Sequence, residues 1–243
     1  MCNTENANFY DGLSRDVFED QAVRCGIFDK NTGRCFDIEE TRSFLEDIAP
    51  NYAMLLKPEK NGRALVAGIG FGREIHWLLK ETDLTICAID HSDKLIDDAR
   101  REFADNPRVE IHKCDILDFT NVSLGKFEIV LWMWSGILEV LGKQKQKSLK
   151  NFRNVLVDDG ILVIESLNSF NDAVFDDSTP VSNKNHTAQR LTVDNGENKM
   201  TMEFISDAEL DALSESAGLQ RLGNARLYLN GKRQINLFQR KKP

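Results

Sequence analysis

The sequence predicts an α/β protein built on a doubly wound, mostly parallel sheet, and two observations carry that expectation. From Gly62 onward, apolar runs alternate with amphipathic stretches: ALVAGI then EIHWLLK, LTICAID then KLIDDARREF, RVEIH then FEIVLWM, and a helix over about 143–156 before ILVIES. Runs apolar on both faces belong to strands covered from both sides, and the intervening helices supply the crossovers that parallel pairing needs. The C-terminal end reads instead as a hairpin. Strand-like residues 221–229 and 232–239 flank Asn230-Gly231, a pair that tolerates the positive φ of a tight type I′ turn.

The other elements follow from local chemistry. Phe44, Leu45 and Ile48 share one face of a helix over about 38–48, which Pro50 stops. Residues 1–61 read as a helical cap and 62–243 as the main domain. After Glu165 the alternation breaks into a polar stretch, Asn168 to Gln189, too long for an ordinary connection and read as a loop serving function. Runs 189–193 and 199–205 flank Asp194-Asn195-Gly196, a second hairpin signal, so a loop and hairpin are inserted at about 168–205. Ser206 suits the N-cap of a helix to about Ser216, and Gly218 its stop.

Composition narrows the function. The 243 residues carry 31 Lys and Arg against 39 Asp and Glu, a net charge of −8 that repels phosphate backbones, so no nucleic-acid partner is expected. Five dispersed cysteines suggest reduced thiols and a cytoplasmic protein, and no apolar stretch is long enough to span a membrane. No metal-ligand spacing, nucleophile elbow or phosphate loop occurs, which sets aside metal, hydrolase and nucleotide triphosphatase chemistry.

The chemistry is expected where the first apolar run enters Gly68, Gly70 and Gly72. Lacking Cβ atoms, these glycines let backbone approach a ligand closely, and the helix opening at Arg73 presents free N–H groups. Asp90 ends the next run, 22 residues after Gly68, where a carboxylate can accept ribose hydroxyls. A dinucleotide fingerprint would put a glycine at position 73, which is Arg73, so the observed G-x-G-x-G disfavours a nicotinamide-dependent oxidoreductase.

These residues, together with Asp90-His91-Ser92, Cys114-Asp115-Ile116, FEIVLWMW and NVLVDDGILVIES, resemble the class I S-adenosylmethionine-dependent methyltransferases over roughly 62–239. The small-molecule type with an amino-terminal cap is the nearest form. The resemblance implies a Rossmann-like seven-stranded sheet with an antiparallel seventh strand between strands five and six. It also implies S-adenosyl-L-methionine as cofactor, a ribose contact by Asp90, an adenine contact by Asp115, and a fourth strand, ending at Met133, that faces the methionine part and the substrate. Arg73, and Tyr10 and Arg15 in FYDGLSR, are candidates for the cofactor carboxylate. One departure is plain: Val66 stands where the family carries an acid two residues before the first glycine.

A sulfonium methyl is already activated, so positioning can supply most of the catalysis, and a base is needed only for a protonated or weak nucleophile. Candidates at the mouth are Tyr10, Trp134, Ser135, Glu139, Glu165, Asn168 and His186. Each has an ordinary reading beside the functional one: core or cofactor wall for Trp134, a helix cap for Ser135, an exposed loop for His186. Residues 1–50 are net −6, and Glu165, Asp172, Asp176 and Asp177 follow strand five. An acidic mouth would favour a small cationic or amine acceptor, whereas the plain alternative is the solvated surface of an acidic protein. A cofactor-binding regulatory module without transfer is the alternative function.

Overall fold

The computed structural model describes residues 4–56, 62–119, 122–168, 183–186, 190–194 and 198–241. The N-terminal segment holds α1 (Thr4–Asp11), α2 (Arg15–Arg24), the short pair β1 (Phe28–Asp29) and β2 (Arg34–Cys35), α3 (Phe36–Ile48) and α4 (Pro50–Ala53). The central layer then runs β3 (Arg63–Ala67), α5 (Arg73–Glu81), β4 (Thr85–Asp90), α6 (Asp93–Glu102), β5 (Val109–Lys113), β6 (Phe127–Trp132), α7 (Gly136–Glu139), α8 (Gln144–Val155) and β7 (Leu156–Leu167). An insertion, β8 (Asn183–His186), β9 (Arg190–Asp194) and β10 (Lys199–Glu203), precedes α9 (Asp207–Ser216), β11 (Leu219–Arg221), β12 (Arg226–Tyr228) and β13 (Arg233–Arg240).

The large sheet has the order β11-β13-β7-β6-β3-β4-β5. Strands β3 to β7 pair in parallel, and β13 is antiparallel to both β7 and β11. The antiparallel strand thus lies between the fifth and sixth strands of the path, as expected. A short eighth strand, β12, shares the edge of β13 with β11, because the run expected over 221–229 breaks into two pieces.

Burial explains the apolar runs. In β3, Leu65 and Ala67 pack with Ile89, Val130 and Trp132 on one face, while Ala64 and Val66 pack with Ile75, Ile86 and Leu131 on the other. A strand between two helical layers has no solvent face, so period-two alternation disappears. The chain proceeds outward from β3 in one direction to β5 and then, from β6, in the other. The crevice beyond the strand ends at that reversal is where an open α/β sheet receives ligands.

Local signals shifted by a residue or two. The C-terminal turn places Leu229 (φ 50°) and Asn230 (φ 57°) at its centre, closed by Gly231 N donating to Tyr228 O at 3.1 Å. It is a type I′ turn one residue earlier than expected, with Gly231 left-handed beyond it. Pro50 ends α3 and opens α4, as a residue without a backbone N–H can at a first helical turn. Ser206 caps α9 in a full capping box with Glu209, and Gly218 (φ +80°) follows its end. The insertion is a three-stranded antiparallel sheet rather than a hairpin alone; its turn at 195–197 and residues 169–182 lie outside the described residues. No described helix is long and apolar enough to cross a membrane.

Helices α1 and α2 lie across this frame. Asn6 Oδ1 accepts from Thr201 N (3.1 Å) in β10, Asp11 accepts from Ser92 Oγ and from Lys94 N (3.2 Å) at the start of α6, and Arg15 donates to Phe71 O. Phe9, Leu13 and Phe18 join the core cluster that holds Phe71, Leu95 and Trp132.

Candidate active site

One pocket opens beyond the C-terminal ends of β3, β4 and β6, walled by α1 and α2 and by β9 and β10. Of the residues expected there from sequence, Gly68, Gly70, Arg73, Asp90, His91, Ile116, Met133, Tyr10, Trp134, Ser135 and Glu139 line it. Gly72, Ser92, Asp115, Glu165 and Asn168 do not.

The glycine loop divides in two. Gly68 (φ +87°) and Gly70 (φ +53°) have open space where a Cβ would point, whereas one on Gly72 (φ +83°) would meet the Phe103 ring at 3.4 Å. The first two shape the cavity wall and the third lets α5 start close to α6. Asp90 holds this wall in place: Oδ2 accepts from Ile69 N (2.8 Å) and Oδ1 from Ser92 N (2.9 Å). Each carboxylate oxygen keeps a lone pair for a ligand hydroxyl. Ser92 itself caps α6 by accepting from Leu95 N, and Asp115 Oδ1 accepts from Leu117 N (2.8 Å). At that end the lining comes from Cys114 and Ile116 instead.

A buried charge cluster stands beside the glycines. Arg73 Nη1 is 2.6 Å from Asp37 Oδ1 and Nη2 is 2.5 Å from Glu74 Oε1, and the guanidinium lies 5.4 Å from the Trp134 ring centroid. Burial raises the Glu74 carboxyl above its ordinary range, against the pull of Arg73. Val66, where an acid is usual, lies instead in the apolar cluster on the other face of β3.

Glu165 corrects one expectation. It is fully buried behind the pocket lining, not at the mouth, and it accepts from Trp134 N (2.7 Å), Tyr228 Oη (2.7 Å) and both Nε and Nη2 (2.9 Å) of Arg233. Burial alone would raise its pKa, but the Arg233 charge and these hydrogen bonds hold it below the ordinary range. Its backbone carbonyl also accepts from Ser135 N (2.9 Å). Trp134 (φ 50°) and Ser135 (φ 66°) are left-handed non-glycine residues, and this anchorage holds the strained corner. Ser135 Oγ is occupied too, accepting from Leu167 N (3.1 Å) and Arg233 Nη2 (3.2 Å), and Asn168 bonds Gly231 O (3.0 Å).

Glu139, by contrast, is partly accessible and lines the cavity. Its Oε1 accepts from the Tyr10 hydroxyl, which also lies 3.3 Å from Met200 Sδ. Desolvation pushes the Glu139 carboxyl up to about 7, the Tyr10 hydrogen bond lowers it, and the charge of Asp90 raises it. Burial pushes the Tyr10 phenol upward as well, with Glu139 and Asp90 adding to it. His186 is described at its backbone only, opposite Leu191 in the insertion sheet, and Asp172, Asp176 and Asp177 lie outside the described residues.

Sequence reasoning missed Arg233, Glu74, Asp37, Met200 and Met202. Arg233 carried one signal, a charged residue opening a strand whose next five residues are buried. Asp37 and Glu74 read as ordinary acids in first helical turns. Sequence spacing also missed a cross-strand group, Cys87, Glu110 and His112, whose ligand atoms lie within 4.8 Å of one another. The chemistry there is poor for a cation: burial pushes the Cys87 thiol up to about 12, and Arg63 Nη2 sits 3.2 Å from Glu110.

Fold and site together define an α/β domain that receives a nucleoside cofactor at a glycine loop and a strand-end carboxylate. Residues 64–160, from β3 into β7, match the model of a methyltransferase domain family. That match marks the chain as an S-adenosylmethionine-dependent methyltransferase, with S-adenosylmethionine as its cofactor. Solved structures agree in fold. The CcbJ methyltransferase from Streptomyces caelestis is 17% identical with a TM-score of 0.67, covering 96% of this chain and 98% of its own. An amino pentose methyltransferase from Micromonospora echinaspora, bound to S-adenosylmethionine, is 15% identical with a TM-score of 0.56, over 98% and 96%. The N-methyltransferase NodS from Bradyrhizobium japonicum, bound to S-adenosylhomocysteine, is 11% identical with a TM-score of 0.54, over 84% and 87%. No curated protein matches the chain by sequence.

The residues present fit this cofactor. Gly68 and Gly70 leave room along the loop, and two buried nitrogens at the cavity wall, Arg73 Nε and His91 Nε2, have no hydrogen-bond partner. A polar ligand supplies what such orphaned donors lack.

Proposed function

We propose that the protein transfers a methyl group to a small-molecule amine. The observation that carries this reading is the charge of the pocket wall. Asp90, Glu74 and Glu139 line it together with Arg73 and Arg233, and both arginines already face buried acids, Asp37 and Glu165. The wall is therefore acidic from within the fold. Three other acids of the N-terminal segment pair elsewhere, Glu39 with Arg34, Glu19 with Lys30 and Asp47 with Arg226. A surplus of buried negative charge favours a cationic acceptor over a phosphorylated or carboxylated one. The amino pentose methyltransferase and the N-methyltransferase among the similar structures lend support.

In this reading, residues 1–61 form a cap whose α1 and α2 close the pocket, and 62–243 form the transfer domain. Asp90 takes the ribose hydroxyls, Cys114 and Ile116 flank the adenine, Arg73 takes the cofactor carboxylate, and Glu74 supplies the negative charge absent at Val66. The bound cofactor supplies a methyl carbon already activated by its sulfonium. What the chain adds is alignment: Met133 and Trp134 would wall the methionine part of the cofactor, and Phe9, Phe18, Met200 and Met202 would exclude water from the acceptor side. The protein acts in the cytoplasm, without nucleic acid or membrane.

Incubation with methyl-labelled S-adenosylmethionine and matched panels of primary amines and carboxylic acids tests this. Label in amines, with stoichiometric S-adenosylhomocysteine, is expected; preferential labelling of acids or nucleic acid overturns the acceptor class. Cofactor binding without product from any acceptor would favour the regulatory module.

A further inference from the structure

We infer that Glu139 is the base that takes the proton from an ammonium acceptor, with Tyr10 as the residue that positions it. The inference rests on the amine reading above and assigns its chemistry to one side chain. Glu139 ends α7, directly after the corner that Glu165 and Arg233 anchor, so its place relative to the cofactor loop is set by a buried ion pair. Of its two oxygens, Oε1 holds the Tyr10 hydroxyl, and no donor among the described residues reaches Oε2. The groups acting on it are Tyr10 from α1, whose hydroxyl also lies against Met200 Sδ of β10, and the charge of Asp90 at the end of β4; no cation among the described residues neutralises it. A carboxylate lining an apolar-walled cavity without a counter-ion is complementary to an ammonium group, and Phe9, Phe18 and Met202 beside it favour an acceptor with an apolar body.

The step balances within the reaction. The ammonium nitrogen gives its proton to a Glu139 oxygen, forming a carboxylic acid and freeing the nitrogen lone pair. That pair forms the C–N bond to the methyl carbon as the C–S bond breaks, and the bond electrons stay on sulfur as a neutral thioether. The methylated ammonium leaves and Glu139 returns its proton to water. A base with pKa near the working pH is suited to this exchange, and burial has raised Glu139 to about 7.

Three proteins, wild type, Glu139→Gln and Tyr10→Phe, are assayed against one accepted primary amine from pH 5.5 to 9.5, with cofactor affinity measured by calorimetry. Wild-type kcat/KM is expected to rise through pH about 7 as Glu139 ionises. E139Q should bind cofactor as wild type does, lose about 100-fold in kcat/KM, and keep only the rise that follows free amine. Y10F should move the wild-type rise to higher pH, because it removes the hydrogen bond that lowers Glu139. A purely structural role would depress rates without moving the profile. Methyl transfer by wild type with an unchanged E139Q rate and profile overturns the assignment alone; failure of wild type with every amine overturns the amine reading beneath it.

Discussion

Glu139 and Glu165 are both glutamates near helix or strand ends, one lining the pocket and one buried behind its lining, and they have opposite fates. Glu165 has four donors, two of them from the Arg233 guanidinium, and ionises more readily than a free carboxyl despite complete burial. Glu139 has one phenol and a neighbouring acid, and resists ionisation. The difference lies in partners rather than depth. A buried carboxylate with a full complement of donors is architecture, here a clamp on the Trp134–Ser135 corner, whereas one left without a counter-ion keeps chemistry in reserve.

The contrast can be broken most forcibly at its strong side. Arg233→Met should strand the Glu165 charge and cost about 3–5 kcal/mol, measured by urea unfolding; a loss below 1 kcal/mol would show that the pair contributes little. The two glutamates should also give pH dependences of opposite sign. The Glu139 carboxyl is raised on folding, so its proton is held more tightly in the native state, and stability falls as pH rises from about 4.5 to about 7. E139Q should remove that fall, gaining roughly 2 kcal/mol over wild type at pH 8 after allowance for access through the pocket, and nothing at pH 4. Glu165 is lowered on folding, so its contribution, present above the unfolded value, is lost as pH drops through its folded one.

A smaller effect tests the third acid of the wall. Glu74→Gln should weaken S-adenosylmethionine binding about tenfold, or about 1.4 kcal/mol by calorimetry. Unchanged affinity would remove Glu74 from the cofactor site. Ser206→Ala, remote from both glutamates, should cost about 1 kcal/mol through its lost cap and leave the pH profile of activity untouched.

Much of the fold was legible because it rests on short-range patterns. The apolar runs, the glycines of the cofactor loop, the Ser206 cap and the C-terminal turn each reflect a local requirement of backbone or solvent. The candidate site was legible in its glycines and Asp90, which sit at fixed places relative to the first two parallel strands. It was not legible where a side chain's role depends on a distant partner. Nothing near Glu165 in the chain announces Arg233, 68 residues on, and nothing near Glu139 announces Tyr10, 129 residues back. Charge counts did not single out Glu74 as an acid of the pocket wall for the same reason: counts cannot tell which acids the fold brings to one cavity.

The amino-acid sequence by itself determined the parallel sheet, the place of its antiparallel strand and the end of the sheet at which a nucleoside cofactor is met, because periodicity and glycine spacing act over a few residues. Tertiary structure alone decided which of two glutamates is a clamp and which is left without a counter-ion, because the cost of burying charge depends on what the folded chain brings within hydrogen-bonding distance.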